Sequence, residues 1–247
     1  FDDRRADAAA VGGGHQRGVE AVRAIVRAAA RLGLEALTLY AFSTENWRRP
    51  EEEVSALMGL MKRFILSDLE EFASNNIRLR IIGDYRAMAA DVVALIDGAL
   101  ARTAGNTGPI VAVALNYGSQ DEIARAAAKV AASGRAITPE TIASELDTAD
   151  MPPLDLLIRT SGEVRLSNFL LWQAAYAELW FTDVLWPDFT PVHLEEALAE
   201  FAGKGFGAFK PALVEAAVET LGPVTQRMND YLTDPHEIDS ILATGAA

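Results

Sequence analysis

One loop concentrates residues whose types suit an anionic ligand. An apolar run, "LDLLI" (154–158), ends at Arg159, and "RTSGEVRLSNF" follows it. Two arginines six residues apart and Ser167 stand there among small polar residues. The planar guanidinium of arginine binds two phosphate oxygens at once, and hydroxyl groups satisfy the remaining acceptors. Arg159, Arg165 and Ser167 are therefore candidates to bind a diphosphate.

Two further positions fit the same chemistry. Arg49 follows Trp47 in the polar stretch "STENWRR" (43–49) and is a candidate for the same pocket. Glu178 opens the apolar run "ELWFTDV" (178–184). Because Mg²⁺ prefers carboxylate and phosphate oxygens, an acid beside a diphosphate indicates a magnesium ligand. An ordinary surface acid at the start of a strand is the alternative for Glu178.

A third position leaves two interpretations open. Gly12, Gly13, Gly14 and His15 stand just before a predicted helix. Backbone N–H groups there could face an anion. A flexible lead-in to the helix is the alternative.

Composition and motifs exclude several other classes of function. The net charge of −13 argues against a nucleic-acid partner, because such binding normally needs a basic surface. The chain has no cysteine, so disulfides and thiolate metal sites are excluded. We find no P-loop and no Rossmann glycine motif, and the three histidines form no metal-ligand pattern.

The hydropathy pattern bears on location. No apolar run approaches the roughly 18 to 20 residues of a membrane span. The first fourteen residues lack the apolar stretch of a secretory signal. We therefore predict a cytoplasmic protein with at most peripheral membrane contact.

Strand and helix patterns alternate along the chain, which predicts an α/β fold with a parallel-sheet core flanked by helices. Short apolar runs predict strands at 35–42, 77–83, 109–118, 154–158 and 178–184. Helical periodicity predicts helices at 17–33, 51–75, 86–102, 120–132 and 191–202. A further short helix is predicted to start near Pro139, with Thr138 as its N-cap. In such sheets ligands bind beyond the carboxyl ends of the strands. Those ends carry residues 43–47, 83–84, 116–118 and 159–162, so the polar residues gather where that rule places a site.

The composition changes after "GKGFG" (203–207), and the remaining residues have a helical pattern. We predict a main domain over residues 1–202 and a helical appendage over residues 203–247.

Four segments carry a resemblance to a known family. "LTLYAFSTENWRRPEEEVSALMGLM" (37–61), "LRIIGD" (79–84), "ALNYG" (114–118) and "DLLIRTSGEVRLSNFLLWQAAYAELWFTDVLWPDF" (155–189) resemble the cis-prenyltransferases, and the bacterial undecaprenyl diphosphate synthases most of all. The resemblance covers about residues 15–201. The blocks "STENWRRP" and "RTSGEVRLSNFLLWQ" are highly specific to that family.

The resemblance implies an activity and a set of site residues. Members of the family condense isopentenyl diphosphate with an allylic diphosphate in the presence of Mg²⁺, and each new double bond is cis. They are usually homodimers, and the growing chain lies in an apolar tunnel. By resemblance, isopentenyl diphosphate is bound by Arg159, Arg165, Leu166 and Ser167. The resemblance places the allylic substrate beside Ser43, Thr44, Glu45, Trp47 and Arg49. It also implies that Asn46 takes part in proton removal, that His15 lies near the diphosphates, and that Glu178 binds Mg²⁺.

The apolar stripe of helix 51–75 has two interpretations. Leu57, Met58, Leu60, Met61 and Phe64 could line the tunnel, and plain hydrophobic core is the alternative.

This sequence departs from the family's pattern at its front end. Members carry an apolar strand that runs into Met-Asp-Gly-Asn-Gly-Arg-Trp-Ala, whose Asp is the principal catalytic carboxylate. Here "FDDRRADAAAVGGGHQRG" (1–18) stands before the first predicted helix residues, with Asp2 or Asp3 as the nearest substitute. We therefore predict impaired turnover. A non-catalytic prenyltransferase-like binding subunit and a chimeric protein without activity are the alternatives.

The other end departs as well. Residues 201–247 resemble the C-terminal helices of a tryptophanyl-tRNA synthetase, without that enzyme's ATP-site motifs and without a basic surface. We predict neither aminoacylation nor tRNA binding for this segment.

Overall fold

A computed structural model of the protein describes the backbone of residues 8–203 and the side chains of residues 17–203. The described helices are α1 (Ala8–Arg31), α2 (Glu51–Ser74), α3 (Ala90–Thr103), α4 (Ser119–Ala132), α5 (Pro139–Ala143) and α6 (Pro191–Gly203). The strands are β1 (Ala36–Ser43), β2 (Arg78–Ile82), β3 (Ile110–Tyr117), β4 (Leu156–Arg159) and β5 (Glu178–Phe181). Short 3₁₀ helices span Thr44–Arg48, Tyr85–Ala87, Gln173–Tyr176 and Trp186–Asp188.

All five predicted strands are present and all pair in parallel, which confirms the predicted α/β architecture. They form two sheets rather than one: β3 lies between β1 and β2, and β4 pairs with β5. Among the described residues, β1 pairs on one edge only. Its side chains are accordingly half-buried for most of its length, whereas β3 is buried almost throughout.

The hydrophobic core lies around β3. Its continuous apolar run is buried on both faces, as the sequence of a central parallel strand requires. Helices α2 and α3 cover one face through Phe72, Val92 and Ile96. This packing fixes the carboxyl ends of β1 and β3, where the polar segments begin.

Helix α1 begins earlier than its apolar periodicity indicates. It starts at Ala8 and includes Gly12–Gly14, so neither proposed interpretation of these glycines holds. Because residues beyond the first turn donate their N–H groups within the helix, Gly12–Gly14 are not available as anion donors.

Ion pairs join α1 to α2. Arg23 donates to both carboxylate oxygens of the buried Asp68, at 2.6 and 2.9 Å. One turn later Arg27 donates to both oxygens of Glu71, at 2.6 and 2.7 Å. The two helices therefore meet through paired charges as well as through apolar side chains.

Two helix starts test the local rules. Thr138 caps α5 as predicted, accepting a hydrogen bond from Thr141 N at 3.3 Å. Helix α3 starts at Ala90 rather than residue 86, because Tyr85–Ala87 form a separate 3₁₀ turn.

The chain divides into two compact units, residues 1–197 and 198–247. The predicted appendage lies outside the described residues from position 204 onward, so its helices and its resemblance to a synthetase stay predictions. In the described part, every helix is too short or too polar to cross a bilayer.

Candidate active site

The segment that follows β1 is a 3₁₀ helix stabilised by its own residues. Strands β1 and β3 end side by side, with Ser43 opposite Tyr117. The backbone N–H of Ser43 donates to Asn46 Oδ1 at 2.9 Å, and Arg49 N donates to Asn46 O at 3.1 Å. These bonds orient the amide of Asn46 at the carboxyl edge of the sheet.

Trp47 is anchored to β3 although its ring is exposed. Its side chain is 45% exposed, yet the indole Nε1–H donates to Asn116 Oδ1 at 2.7 Å. Asn116 in turn donates from Nδ2 to Asp84 O at 2.8 Å and adopts a left-handed φ of 47°. The indole is therefore held in a fixed orientation, with Phe42 packed edge-on against it at 4.9 Å between ring centroids.

An aromatic cluster joins this edge to the loop after β4. Tyr40 stacks on Phe169 with 4.3 Å between ring centroids, and Tyr117 meets both rings edge-on. The Tyr40 hydroxyl donates to Tyr117 O at 3.2 Å and lies 3.4 Å from Ser167 O. Burial and the nearby charge of Glu45 raise the pKa of Tyr40 to about 12, so the phenol stays neutral.

The loop after β4 has an unusual backbone. Ser161, Ser167, Asn168 and Leu170 all have φ between 46° and 71°, a region that L side chains rarely adopt. Gly162 shares it with φ 69°, and a Cβ there would lie 3.0 Å from Asp183 Oδ1. Such a run persists only where surrounding contacts hold it, and it is typical of ligand-binding loops.

The two arginines of this loop differ in environment. Arg159 Nε, at the end of β4, is buried and finds no hydrogen-bond acceptor among the described residues. Arg165 is 63% exposed on its side chain and is paired with Glu163. Between Arg165 and Asn168, Leu166 is half-buried and Ser167 is exposed. A buried guanidinium N–H without an acceptor costs free energy, which sets Arg159 apart from an ordinary structural arginine.

The acidic residues of the site are placed apart. Glu45 accepts from Asn168 Nδ2 at 3.1 Å. Partial burial works to raise the pKa of Glu45, but hydrogen bonds from Asn168, the backbone, Ser43 and Thr44 lower it overall. This carboxylate is therefore charged at neutral pH.

Glu178 lies at the amino end of β5, opposite Leu156, whereas Arg159 is opposite Phe181. Three residues of strand separate the two positions, about 10 Å. Among the side chains that the structure describes, no group of three His, Asp or Glu could hold a metal ion. Glu178 thus offers a single carboxylate, which suits Mg²⁺ only where phosphate oxygens and water supply the other ligands.

Comparisons with known proteins show which family the chain resembles. Residues 4–205 match the family model described as "Putative undecaprenyl diphosphate synthase". The isoprenyl transferase of Agrobacterium fabrum is 55% identical over 204 residues, which cover 79% of this chain and 83% of that protein. The isoprenyl transferase of Brucella suis is 50% identical over 223 residues, covering 86% of this chain and 88% of that protein.

The chain belongs to the undecaprenyl diphosphate synthase family of isoprenyl transferases.

Solved structures support the assignment of this prenyltransferase. A probable undecaprenyl diphosphate synthase from Campylobacter jejuni superposes with a TM-score of 0.70 at 35% identity, covering 76% of this chain and 89% of that one. Lavandulyl diphosphate synthase from Lavandula x intermedia, in complex with dimethylallyl diphosphate, gives a TM-score of 0.73 at 35% identity, covering 77% and 86%.

The sequence analysis placed Asn116 at a strand end and Asn168 in the polar loop without giving either a role, and it did not single out Glu122. Asn116 and Asn168 hold the two polar segments in place, and Glu122 is 1% exposed beneath them. Glu122 accepts from Tyr117 OH at 2.6 Å, Asp147 N at 2.9 Å and Gln173 Nε2 at 3.2 Å. Asparagine directly after an apolar strand was the available signal for Asn116, because asparagine tolerates a left-handed backbone. Glu122 gave no comparable signal, because acids such as Asp121 and Glu122 are ordinary in the first turn of a helix.

His15 lies in α1, but its side chain is outside the described part of the chain, so its predicted place near the diphosphates stays a prediction.

Proposed function

We propose that this prenyltransferase condenses isopentenyl diphosphate with an allylic diphosphate to form a cis-polyprenyl diphosphate. The observation that carries the proposal is the buried Arg159 Nε at the carboxyl end of β4, which finds no acceptor among the described residues. It lies where an α/β fold binds its ligands and inside the block "RTSGEVRLSNFLLWQ" (159–173). The relatives named isoprenyl transferase are consistent with this activity.

Isopentenyl diphosphate is assigned to the loop after β4. Arg159, which is half-buried, donates to the diphosphate from its guanidinium, and Ser167 supplies a hydroxyl. Arg165 joins them by exchanging Glu163 for phosphate oxygens, which is inexpensive because an exposed ion pair contributes only about 0 to 1 kcal/mol. Leu166 contacts the substrate from the half-buried side of the loop.

The allylic diphosphate is assigned to the segment after β1. The C–O bond to its diphosphate breaks, the allylic carbon bonds to the terminal alkene carbon of isopentenyl diphosphate, and a proton leaves to form the new double bond. Trp47 offers an anchored ring face to the allylic cation, and Asn46 assists proton removal with an amide oriented by Ser43. Ser43, Thr44, Glu45 and Arg49 complete the segment's polar surface.

Mg²⁺ is proposed as the cofactor, with Glu178 as its protein ligand. When bound, the ion neutralises the charge of the diphosphate that leaves. Mg²⁺ is expected to raise the affinity for isopentenyl diphosphate in the parent and much less in Glu178→Gln, measured by calorimetry with and without the ion. An equal Mg²⁺ effect in the two proteins would leave Glu178 as an ordinary strand-start acid.

The product chain is assigned to the amino-terminal half of α2. Leu57, Met58, Met61 and Phe64 contact the core but stay half-buried, and Leu60 is half-buried as well. Fully packed core residues such as Ile65 and Phe72 begin one turn later. The stripe therefore leaves apolar surface for a prenyl chain, and a wedge such as Leu60→Trp is expected to shorten the products.

A homodimer is proposed from the outer face of β5. Leu179 and Phe181 share that face and are both more than a third exposed, and Tyr176 just before the strand is 86% exposed. Apolar residues grouped this way are typical of a protein interface. Phe181→Glu is expected to convert a dimer to a monomer in light scattering. A monomeric parent would contradict the proposal. We also propose a cytoplasmic location for the protein.

Turnover by the polypeptide of residues 1–247 is proposed to be far below that of its relatives. Its Gly12–Gly14 backbone is committed to α1, and one lost transition-state donor alone costs about 10² to 10³ in rate. The assay is incorporation of labelled isopentenyl diphosphate into long products with farnesyl diphosphate and Mg²⁺.

Three outcomes separate the alternatives. Slow incorporation that rises when the family's strand and Met-Asp-Gly-Asn-Gly-Arg-Trp-Ala segment are grafted ahead of Gly14 supports an impaired enzyme. Binding of isopentenyl diphosphate with no turnover before or after grafting favours a non-catalytic binding subunit. No binding at all would contradict the proposed function and favour a chimeric protein without activity.

A further inference from the structure

We infer that Asn168 is a positioning residue that sets the two substrate segments relative to each other. The inference rests on the proposed function, because it assigns those segments to the two diphosphates. No ladder of backbone hydrogen bonds joins the two segments, since β1 and β4 belong to different sheets. Their relative placement therefore depends on individual side-chain contacts.

Asn168 is placed to make those contacts. Its Nδ2 donates to Glu45 Oε1 at 3.1 Å, in the segment after β1. Its Oδ1 accepts from Gln120 N at 2.9 Å, and its backbone oxygen accepts from Ser119 N at 2.8 Å, both in the first turn of α4. One residue thus uses both ends of its amide and its carbonyl to join three elements.

The backbone of Asn168 supports this role. Its φ is 59°, a left-handed value that asparagine tolerates better than most residues. Ser167 beside it has φ 50°, so the proposed diphosphate ligand is presented by the same strained turn. Displacing Asn168 would move Ser167, and with it the hydroxyl assigned to isopentenyl diphosphate.

Gly118 shows how closely the three elements meet. A Cβ at Gly118 would lie 2.7 Å from Asn168 Nδ2, 2.8 Å from Thr44 Oγ1 and 2.9 Å from Asp121 Oδ2. The φ and ψ of Gly118, −148° and 130°, suit any residue. The Cβ is therefore excluded by contact with these side chains and not by backbone strain, so Gly118→Ala is a selective wedge at this junction.

The first test reverses one hydrogen bond. Asn168→Asp keeps the acceptor for Gln120 N but places a carboxylate about 3 Å from Glu45, so we expect affinity for isopentenyl diphosphate to fall about fivefold or more. Adding Glu45→Gln restores a donor and an acceptor with their roles exchanged. The double variant is expected to recover most of the lost affinity, which general destabilisation would not do.

The second test uses the wedge. Gly118→Ala is expected to lower the affinity for isopentenyl diphosphate about as much as Asn168→Asp does. Gly98→Ala in α3 is the matched control, because a Cβ there meets nothing within 4 Å. It is expected to leave the affinity unchanged. Thermal melting of every variant reports whether the fold is retained.

The outcomes separate the two proposals. Failure of the parent to bind isopentenyl diphosphate contradicts the proposed function itself. Binding by the parent that is unaltered in both Asn168→Asp and Gly118→Ala overturns the positioning role alone. Loss of affinity in Asn168→Asp that Glu45→Gln does not restore also overturns it, since the Glu45 contact would then carry no coupling.

Discussion

The segments that follow β1 and β4 are built in opposite ways. The backbone of residues 44–48 forms a 3₁₀ helix with local bonds, such as Ser43 N to Asn46 Oδ1. Within the part of the chain that the structure describes, only the side chains of Glu45 and Trp47 in this segment bond to distant residues. Residues 160–172 contain four non-glycine residues with left-handed φ and are held by distant partners. A left-handed φ costs most residues about 1 to 2 kcal/mol, and asparagine less, so distant contacts must stabilise this loop. A loop of this kind keeps its shape only on a rigid platform.

The platform is the start of α4 with the end of β3. Ser119 N and Oγ contact Asn168 O and Leu171 N, at 2.8 and 3.0 Å. Beneath them the buried Glu122 binds Tyr117 and Gln173. Burial and the charge of Glu122 raise the pKa of Tyr117 above its ordinary value, so this phenol is a hydrogen-bond donor at neutral pH.

Removing Glu122 is expected to have the largest effect of the substitutions considered. Glu122→Ala leaves the buried Tyr117 hydroxyl and the part-buried Asp147 N–H without an acceptor, at about 1 to 3 kcal/mol each. It also removes one of the two hydrogen bonds of Gln173 Nε2, which still donates to Thr148. We expect the free energy of unfolding to fall by about 3 kcal/mol or more in urea titrations. Glu122→Gln keeps the shape and one acceptor, so its loss should be clearly smaller. If the free energy of unfolding falls by less than about 1 kcal/mol in Glu122→Ala, Glu122 does not stabilise the contact between α4 and the loop after β4.

The sequence predicted the regular elements well for physical reasons. The continuous apolar run at residues 110–115 predicts a buried parallel strand, and Pro50 with three glutamates marks the start of α2. Both signals are local. The end of β1 likewise predicts a polar segment, and the structure finds it there.

The rest depended on long-range contacts that no local pattern reports. Leucine disfavours a left-handed backbone, so φ 46° at Leu170 follows from packing and not from propensity. The division into two sheets depends on which strand edges meet. The buried acid Glu122 depends on donors 5 to 51 residues away.

A smaller loss of stability is expected when the hydrogen bond between Trp47, in the segment after β1, and Asn116 is removed. Asn116→Ala removes the acceptor for Trp47 and places alanine at φ 47°, so we expect a loss of about 1 to 2 kcal/mol in unfolding free energy. Asn116→Gly removes the same acceptor without the backbone strain, and should lose less. Tryptophan fluorescence should change in both. Equal stability of the two variants would show that the backbone strain contributes nothing.

The smallest change in stability is expected from the hydrogen bond between Asn168 and Glu45, which joins the segments after β4 and β1. The folded pKa of Glu45 lies below its ordinary value, about 4.5, mainly through hydrogen bonds against a raising contribution from partial burial. A depressed carboxyl pKa contributes stability above the unfolded pKa, and the contribution is lost as pH falls through the folded pKa.

Asn168→Ala is therefore expected to differ more from the parent near pH 7 than below about pH 3. Because Glu45 is exposed, this pH-dependent part should stay below about 1 kcal/mol. In a Glu45→Gln background the difference should be the same at both pH values. A pH-dependent difference that persists in that background would assign the effect to another carboxylate.

The central claim is that the loop after β4 holds a diphosphate through Arg159, and calorimetry of isopentenyl diphosphate tests it directly. The parent, Arg159→Ala and Arg165→Ala are compared at constant salt with Mg²⁺. We expect each arginine to contribute about 1.5 to 3 kcal/mol, the range for a charge-assisted hydrogen bond, with Arg159 at the upper end because it is half-buried whereas Arg165 is exposed. Arg159→Lys should recover only part of the loss, since lysine lacks the planar fork. Parent-like affinity in both alanine variants would contradict the account.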